Sequence, residues 1–137
     1  MKTLITGING FLGRNLAAKC LEVGWDVSGV YHQHRSTALP DAVNIYQTID
    51  NIHSDVDIVF LCAGYVPYQN MNSPSPRLID SNLKTVIAAT ERFKNSRFVF
   101  ASSVSVHGGA SLPVREGSPF GSPSLYGLSK LAGEFII

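Results

Sequence analysis

Tyr126 and Lys130 are the side chains in this sequence whose types and spacing best suit chemistry. Four residues apart on a helix, they share a face. A phenol ionises at about pH 10 and is a poor base at neutral pH. An ammonium beside it favours the phenolate and brings the group toward the working range. Earlier the chain reads Phe100-Ala101-Ser102-Ser103-Val104-Ser105-Val106-His107-Gly108, a strand running into a serine-rich turn. A serine hydroxyl can hold a substrate oxygen while hydride moves to or from a cofactor. Tyr-x-x-x-Lys alone arises often by chance, so its meaning depends on what accompanies it.

What accompanies it is a phosphate cradle at the other end of the chain. The apolar pair Leu4-Ile5 leads into Thr6-Gly7-Ile8-Asn9-Gly10-Phe11-Leu12-Gly13. A bland turn would also use glycine, but here a strand precedes the glycines and a helix follows. The first glycine turns the chain sharply, the second admits a pyrophosphate against backbone, and the third lets the helix pack close to the sheet. The helix opening near Phe11 aims its unpaired N–H groups and positive dipole end at the anion. Gly7, Asn9, Gly10, Phe11, Leu12 and Gly13 are therefore candidate cofactor-binding residues, with the pyrophosphate over Gly10 to Gly13.

Positioning these groups requires alternating strands and helices, hence a parallel sheet covered on both faces. Strands are expected at residues 2–6, at Asp26 to Tyr31, near Val43 to Tyr46, at Val56 to Cys62 and at Arg97 to Ala101. Leu12, Leu16, Cys20 and Val23 mark the first helix, stopped by Gly24. A long helix carries the stripe Ile79, Leu83, Val86, Thr90 and Phe93. The last helix carries Leu128, Leu131, Ala132 and Phe135 on one side. Right-handed crossovers that run one way and then reverse give an α/β, doubly wound, Rossmann-like sheet of order 3-2-1-4-5.

The spacing Gly-x-x-Gly-x-x-Gly after a Thr resembles the short-chain dehydrogenase/reductase superfamily. Val59-Phe60-Leu61-Cys62-Ala63-Gly64 resembles its extended branch, the sugar-nucleotide epimerases, dehydratases and reductases. In that branch a strand ends in a His-x-Ala-Ala type motif under the cofactor. Leu61 stands for the His and Gly64 for the second Ala, and Ala63 and Gly64 still let backbone lie against a nucleotide. The resemblance implies a Ser-Tyr-Lys site of Ser103, Tyr126 and Lys130, with Tyr126 and Lys130 also touching the cofactor. Ser103 matches the catalytic serine, being five before Gly108; Ser105 becomes a substrate contact and Ser102 a structural residue. His107 stands where many relatives have Tyr, which makes it a surface or packed histidine. Asn82 matches the family's structural or catalytic Asn, although an amide on an apolar stripe could equally bond a neighbouring carbonyl. Thr85-Val86 replaces the Gly-Thr that often follows that Asn.

The end of the second strand bears on which nucleotide is bound. An NAD site places a carboxylate there; in the family it would fall at Tyr31, and no Asp or Glu appears from Val27 through Leu39. Arg35 follows instead. Its guanidinium either grips a 2′-phosphate with two parallel hydrogen bonds or lies solvated in a polar loop. The cofactor reading is NADP in preference to NAD.

A formal charge of +1 over 137 residues gives no footprint for nucleic acid or a basic membrane patch. The first strand begins at once without a leader segment, and no run approaches the roughly 20 apolar residues of a membrane span. Cys20 and Cys62 fit buried thiols in a reducing, cytoplasmic setting, with no disulfide and no metal. The resemblance covers the N-terminal half of a family member, an incomplete NAD(P)-binding domain over 1–137 without the C-terminal substrate domain. Ending on Phe135-Ile136-Ile137 suggests a piece of a longer protein, whose fifth strand and last helix would self-associate along the uncovered side. Three functions compete: an oxidoreductase, epimerase or dehydratase half acting on a nucleotide sugar or similar hydroxyl/ketone substrate, a cofactor-binding sensor without turnover, and a structural piece that binds nothing.

Overall fold

Leu4 and Ile5 are both fully buried although they point to opposite sides of β1 (Lys2–Thr6), so this strand is covered on both faces. In the computed structural model, which describes residues 1–32, 39–109 and 113–137, the chain forms two compact units. One comprises Met1–Ala63 with Ile87–Ala101, the other Gly64–Val86 with Ser102–Ile137.

The first unit holds the sheet. Beside β1 it contains β2 (Asp26–Val30), β3 (Asn44–Tyr46), β4 (Ile58–Leu61) and β5 (Arg97–Phe100). All pairings are parallel and the order is β3-β2-β1-β4-β5, as the alternation predicts. Leu4 lies opposite Ser28 and Val59, and Ile5 opposite Gly29 and Phe60. Four strands are one to three residues shorter than expected. On β4, Val59 and Leu61 are buried while Ile58 and Phe60 are only half-buried, so only its one face matches the expected double burial.

Helix α1 (Phe11–Glu22) ends where expected, with Gly24 at φ +77° and its N–H bonded to the Leu21 carbonyl at 2.9 Å. It buries Gly13, Ala17 and Cys20, whereas Leu12 is 50% exposed. The inward face therefore lies one residue on from the leucine-led stripe. Ala17 and Cys20 join Ile5, Ile8, Val27 and Val43 in one core cluster. Burial pushes the Cys20 thiol up from its ordinary pKa, which keeps it protonated and inert at neutral pH.

Helical residues from Pro76 to Arg92 change pitch on the way. Helix α2 (Pro76–Ile79) starts from Ser75, whose hydroxyl accepts from the Arg77 N–H at 3.3 Å. A π turn spans Asp80–Lys84, and α3 (Thr85–Arg92) follows. The buried positions are Leu78, Asn82, Val86, Ala89 and Phe93, while Ile79 is 49% exposed. Val86 and Phe93 of the expected stripe are buried, Leu83 and Thr90 are half-buried, and across the wider turn Asn82 is fully buried. Single π turns of this kind gather at functional sites.

The second unit also contains a 3-10 turn (Val104–His107) and helix α4 (Leu125–Ile136). Helix α4 buries Tyr126, Gly127, Ser129, Lys130 and Gly133. It leaves Leu128 46% and Phe135 79% exposed. Its polar face is thus the inward one, the reverse of the expected apolar side. No helix among the described residues is long and apolar enough to cross a membrane.

Candidate active site

The first unit carries the cradle. In an open parallel sheet, ligands bind beyond the carboxyl ends of the strands where the order reverses, here between β1 and β4. The turn after β1 is clipped in place by the Gly7 and Ile8 N–H groups, which both donate to the Val30 carbonyl, at 3.1 and 3.3 Å. Gly7 sits at φ +67°, and a Cβ on it would lie 2.8 Å from both N and Cα of Ala63. Neither the conformation nor the space admits a side chain. A Cβ on Gly13 would strike the Gly7 carbonyl, so the third glycine lets the helix start press on the turn. Ile8 is fully buried beneath it, a burial that contributes about 1.5–3 kcal/mol.

Gly10 is the N-cap of α1 and supplies no side-chain hydrogen bond to it. A glycine N-cap puts no side chain of its own over the helix end, and Gly10, Phe11 and Leu12 lie at the surface. Open N–H groups at the positive end of a three-turn helix, reached over glycines, fit an anion such as a pyrophosphate. Thr6, which opens the glycine motif, ties the two strand ends together. Its hydroxyl accepts from the Ala63 N–H at 3.1 Å. Ala63 thus lies against the glycine turn, as a small residue must. Arg35 lies outside the described residues. A cavity of 780 Å³ opens at the opposite, amino ends of the strands, lined by Met1, Asp57, Arg92 and Arg97 among others. The rule for open sheets assigns nucleotide binding to the other end.

The second unit carries Tyr126 and Lys130, the pair expected to do acid–base work. Tyr126 and Lys130 are 7% and 4% exposed, one turn apart on the buried face of α4. The start of that helix is tightly held. The Leu125 N–H donates to Asn72 Oδ1 at 3.3 Å, the Tyr126 N–H to the Met71 carbonyl at 3.1 Å and the Gly127 N–H to Ser124 Oγ at 3.1 Å. This helix end is occupied by its own chain. Ser129, which the sequence reading passed over, donates to the Tyr126 carbonyl at 2.7 Å.

Ser103 caps the 3-10 turn, its Oγ accepting from the Ser105 N–H at 3.2 Å. That bond uses a lone pair and leaves the Ser103 O–H to donate. The turn packs on α4, and a Cβ on Gly127 would strike the Ser105 carbonyl. Ser102 donates to Glu134 of α4, a structural link. His107 stacks on Phe120 with centroids 5.7 Å apart, and its buried Nδ1 has no partner among the described residues. It is a packed histidine.

Asn82 is fully buried. Its Oδ1 accepts from the Tyr65 N–H at 2.7 Å, and its Nδ2 donates to the Tyr65 carbonyl at 3.2 Å and to Ser129 Oγ at 2.9 Å. The side chain is thereby committed to holding protein. A Cβ on Gly64 would lie 3.1 Å from Lys130 Nζ and 3.5 Å from Asn82 Oδ1. The structure thus brings together Gly64, Asn82 and Lys130, and separately packs the Ser103–Ser105 turn on α4.

Over residues 3–137 the chain matches the NAD dependent epimerase/dehydratase family. The chain belongs to that family. A curated relative in Streptomyces antibioticus, described as a probable dTDP-4,6-dihydroxy-2-methyloxan-3-one 4-ketoreductase, is 28% identical over 98% of the chain and 45% of its own length. The UDP-glucuronic acid 4-epimerase of Bacillus cereus, solved with UDP-glucuronic acid and NAD, is 25% identical with a TM-score of 0.83 over 99% of the chain and 51% of its own. The UDP-glucose 4-epimerase of Bifidobacterium longum, solved with NAD+ and UDP, is 25% identical with a TM-score of 0.80, over 99% and 48%. This member of the family therefore spans about half the length of the relatives it matches.

Proposed function

We propose that the chain is the cofactor-binding and acid–base half of an NAD(P)-dependent enzyme acting on a nucleotide sugar, by reduction, epimerisation or dehydration. The observation that carries this reading is the burial of Tyr126 and Lys130 one turn apart on a helix whose first turn is fixed from outside. A buried lysine beside a buried tyrosine is costly unless their interaction is used. The nucleotide-sugar class is supported by the relatives' own substrates.

The glycine turn from Gly7 to Gly13, with Ala63 against it, would hold the cofactor's pyrophosphate. When bound, the nicotinamide accepts or returns a hydride. Tyr126 takes the proton of the substrate hydroxyl as the carbon–hydrogen bond gives up its hydride, and returns that proton in the reverse direction. Lys130 holds its positive charge near the phenol and favours the phenolate. Ser103 donates its O–H to the same substrate oxygen, and Ser105 contributes a substrate contact. Asn82 positions rather than reacts. NADP is the preferred nucleotide on the strength of Arg35. Leu61, which stands at the family's histidine, is 1% exposed, and its side chain serves packing.

The test is to incubate the full-length protein with NAD(P) and a panel of dTDP- and UDP-linked sugars, following cofactor reduction state and sugar products. Conversion of one of them is the expected outcome. Cofactor binding with no conversion of any would support the sensor reading instead.

A further inference from the structure

We infer that Ser129 is a positioning residue for Tyr126 and Lys130, acting by locking Asn82 to the first turn of α4. The inference rests on the reading of Tyr126 and Lys130 as the acid–base pair. Ser129 is 7% exposed and lies between them in sequence. Its Oγ donates to the Tyr126 carbonyl at 2.7 Å and accepts from Asn82 Nδ2 at 2.9 Å.

A buried helical serine commonly returns its hydroxyl to a carbonyl three or four residues back. That habit explains the donation and nothing more. The accepted bond is the informative one. Asn82 sits on the π turn, fully buried, and divides its side chain between the Tyr65 main chain and Ser129. A continuous path therefore runs from the Tyr65 backbone through Asn82 and Ser129 to the Tyr126 carbonyl. The Tyr126 N–H is already held by Met71. Each main-chain polar group of Tyr126 thus has a partner in addition to what the helix ladder supplies. Only a hydroxyl accepts and donates strongly at that spot; alanine does neither, and a thiol does both weakly. With the lock released, the turn carrying Tyr126 and Lys130 is free to rotate by fractions of an ångström, the scale to which proton transfer is sensitive.

The experiment uses the full-length protein with Ser129→Ala, Ser129→Cys and Ser129→Thr. In the first two, kcat falls about 10- to 100-fold while KM and the cofactor Kd stay within about twofold. Ser129→Thr, which keeps the hydroxyl, restores most of the rate. A second readout needs no turnover: amide exchange of the Tyr65 N–H in Ser129→Ala speeds up about tenfold, the scale of one net hydrogen bond. Should Ser129→Ala not fold, Ser129→Cys fills the same space and is read the same way. Unchanged Tyr65 exchange overturns the lock, as does a threonine variant as slow as the alanine one. Tyr126→Phe is the control for the underlying reading. If that variant keeps its turnover, the acid–base assignment fails while Tyr65 exchange still judges Ser129.

Discussion

The Ala63 N–H donates to the hydroxyl of Thr6 at 3.1 Å, joining the ends of β1 and β4 where the strand order reverses. The same hydroxyl donates a long bond of 3.5 Å to the Phe60 carbonyl. Thr6 is 1% exposed, so water does not stand in readily. Thr6→Val keeps the shape and leaves the Ala63 amide without its partner, at a cost of about 1–3 kcal/mol. The expected result is a lower denaturant midpoint with an unchanged slope. An unchanged midpoint would mean the bond holds nothing together.

Gly7→Ala should do more damage at the same place. A Cβ there meets Ala63 backbone at 2.8 Å in a conformation at φ +67°, and the conformation alone costs roughly 1–2 kcal/mol. Cofactor affinity is expected to drop sharply in calorimetric titration, because the turn must move to relieve the contact. Near-normal affinity would show that the cradle tolerates a shifted turn.

Much of this fold was legible because its signals are local. A strand, three spaced glycines and a helix announce the turn at Gly7, and alternation with right-handed crossovers yields the strand order. What stayed hidden depends on distant partners or on a change of pitch. A π turn interrupts the helical residues at Asp80–Lys84, and a fixed helical period cannot reveal it. Helix α4 turns Ser129 inward, where its partner Asn82 lies elsewhere in the chain, and buries Lys130 beside it. Read alone, its leucines claim that face. Ser129 looks ordinary in a helix, and only its hydrogen bonds mark it.

The nucleotide preference can be checked directly. β2 ends at Val30 and Tyr31 follows, its N–H on the Tyr46 carbonyl at 3.2 Å, with no acid in the neighbouring sequence. NADP is expected to bind more tightly than NAD, and Arg35→Ala to narrow that gap by about tenfold, the scale of a charge-assisted hydrogen bond. Equal affinities, unmoved by the substitution, would remove Arg35 from the site.

β5 pairs only with β4 among the described residues, and Val99 on it is 50% exposed. In the second unit, α4 presents Leu128 and Phe135 to solvent. A polypeptide of these 137 residues on its own is therefore expected to self-associate, through an open strand edge and an apolar helix face. Sedimentation velocity reads this; a stable monomer at high concentration would contradict it.

Turnover of Tyr126→Phe in the full-length protein tests the central claim most directly. The substitution removes one hydroxyl from a ring that is 7% exposed and leaves the glycine cradle untouched. The expected result is a loss of about 10²–10⁴ in kcat, the scale of a positioned acid or base, with cofactor affinity nearly intact. Unchanged turnover would contradict the account and move proton transfer to another residue.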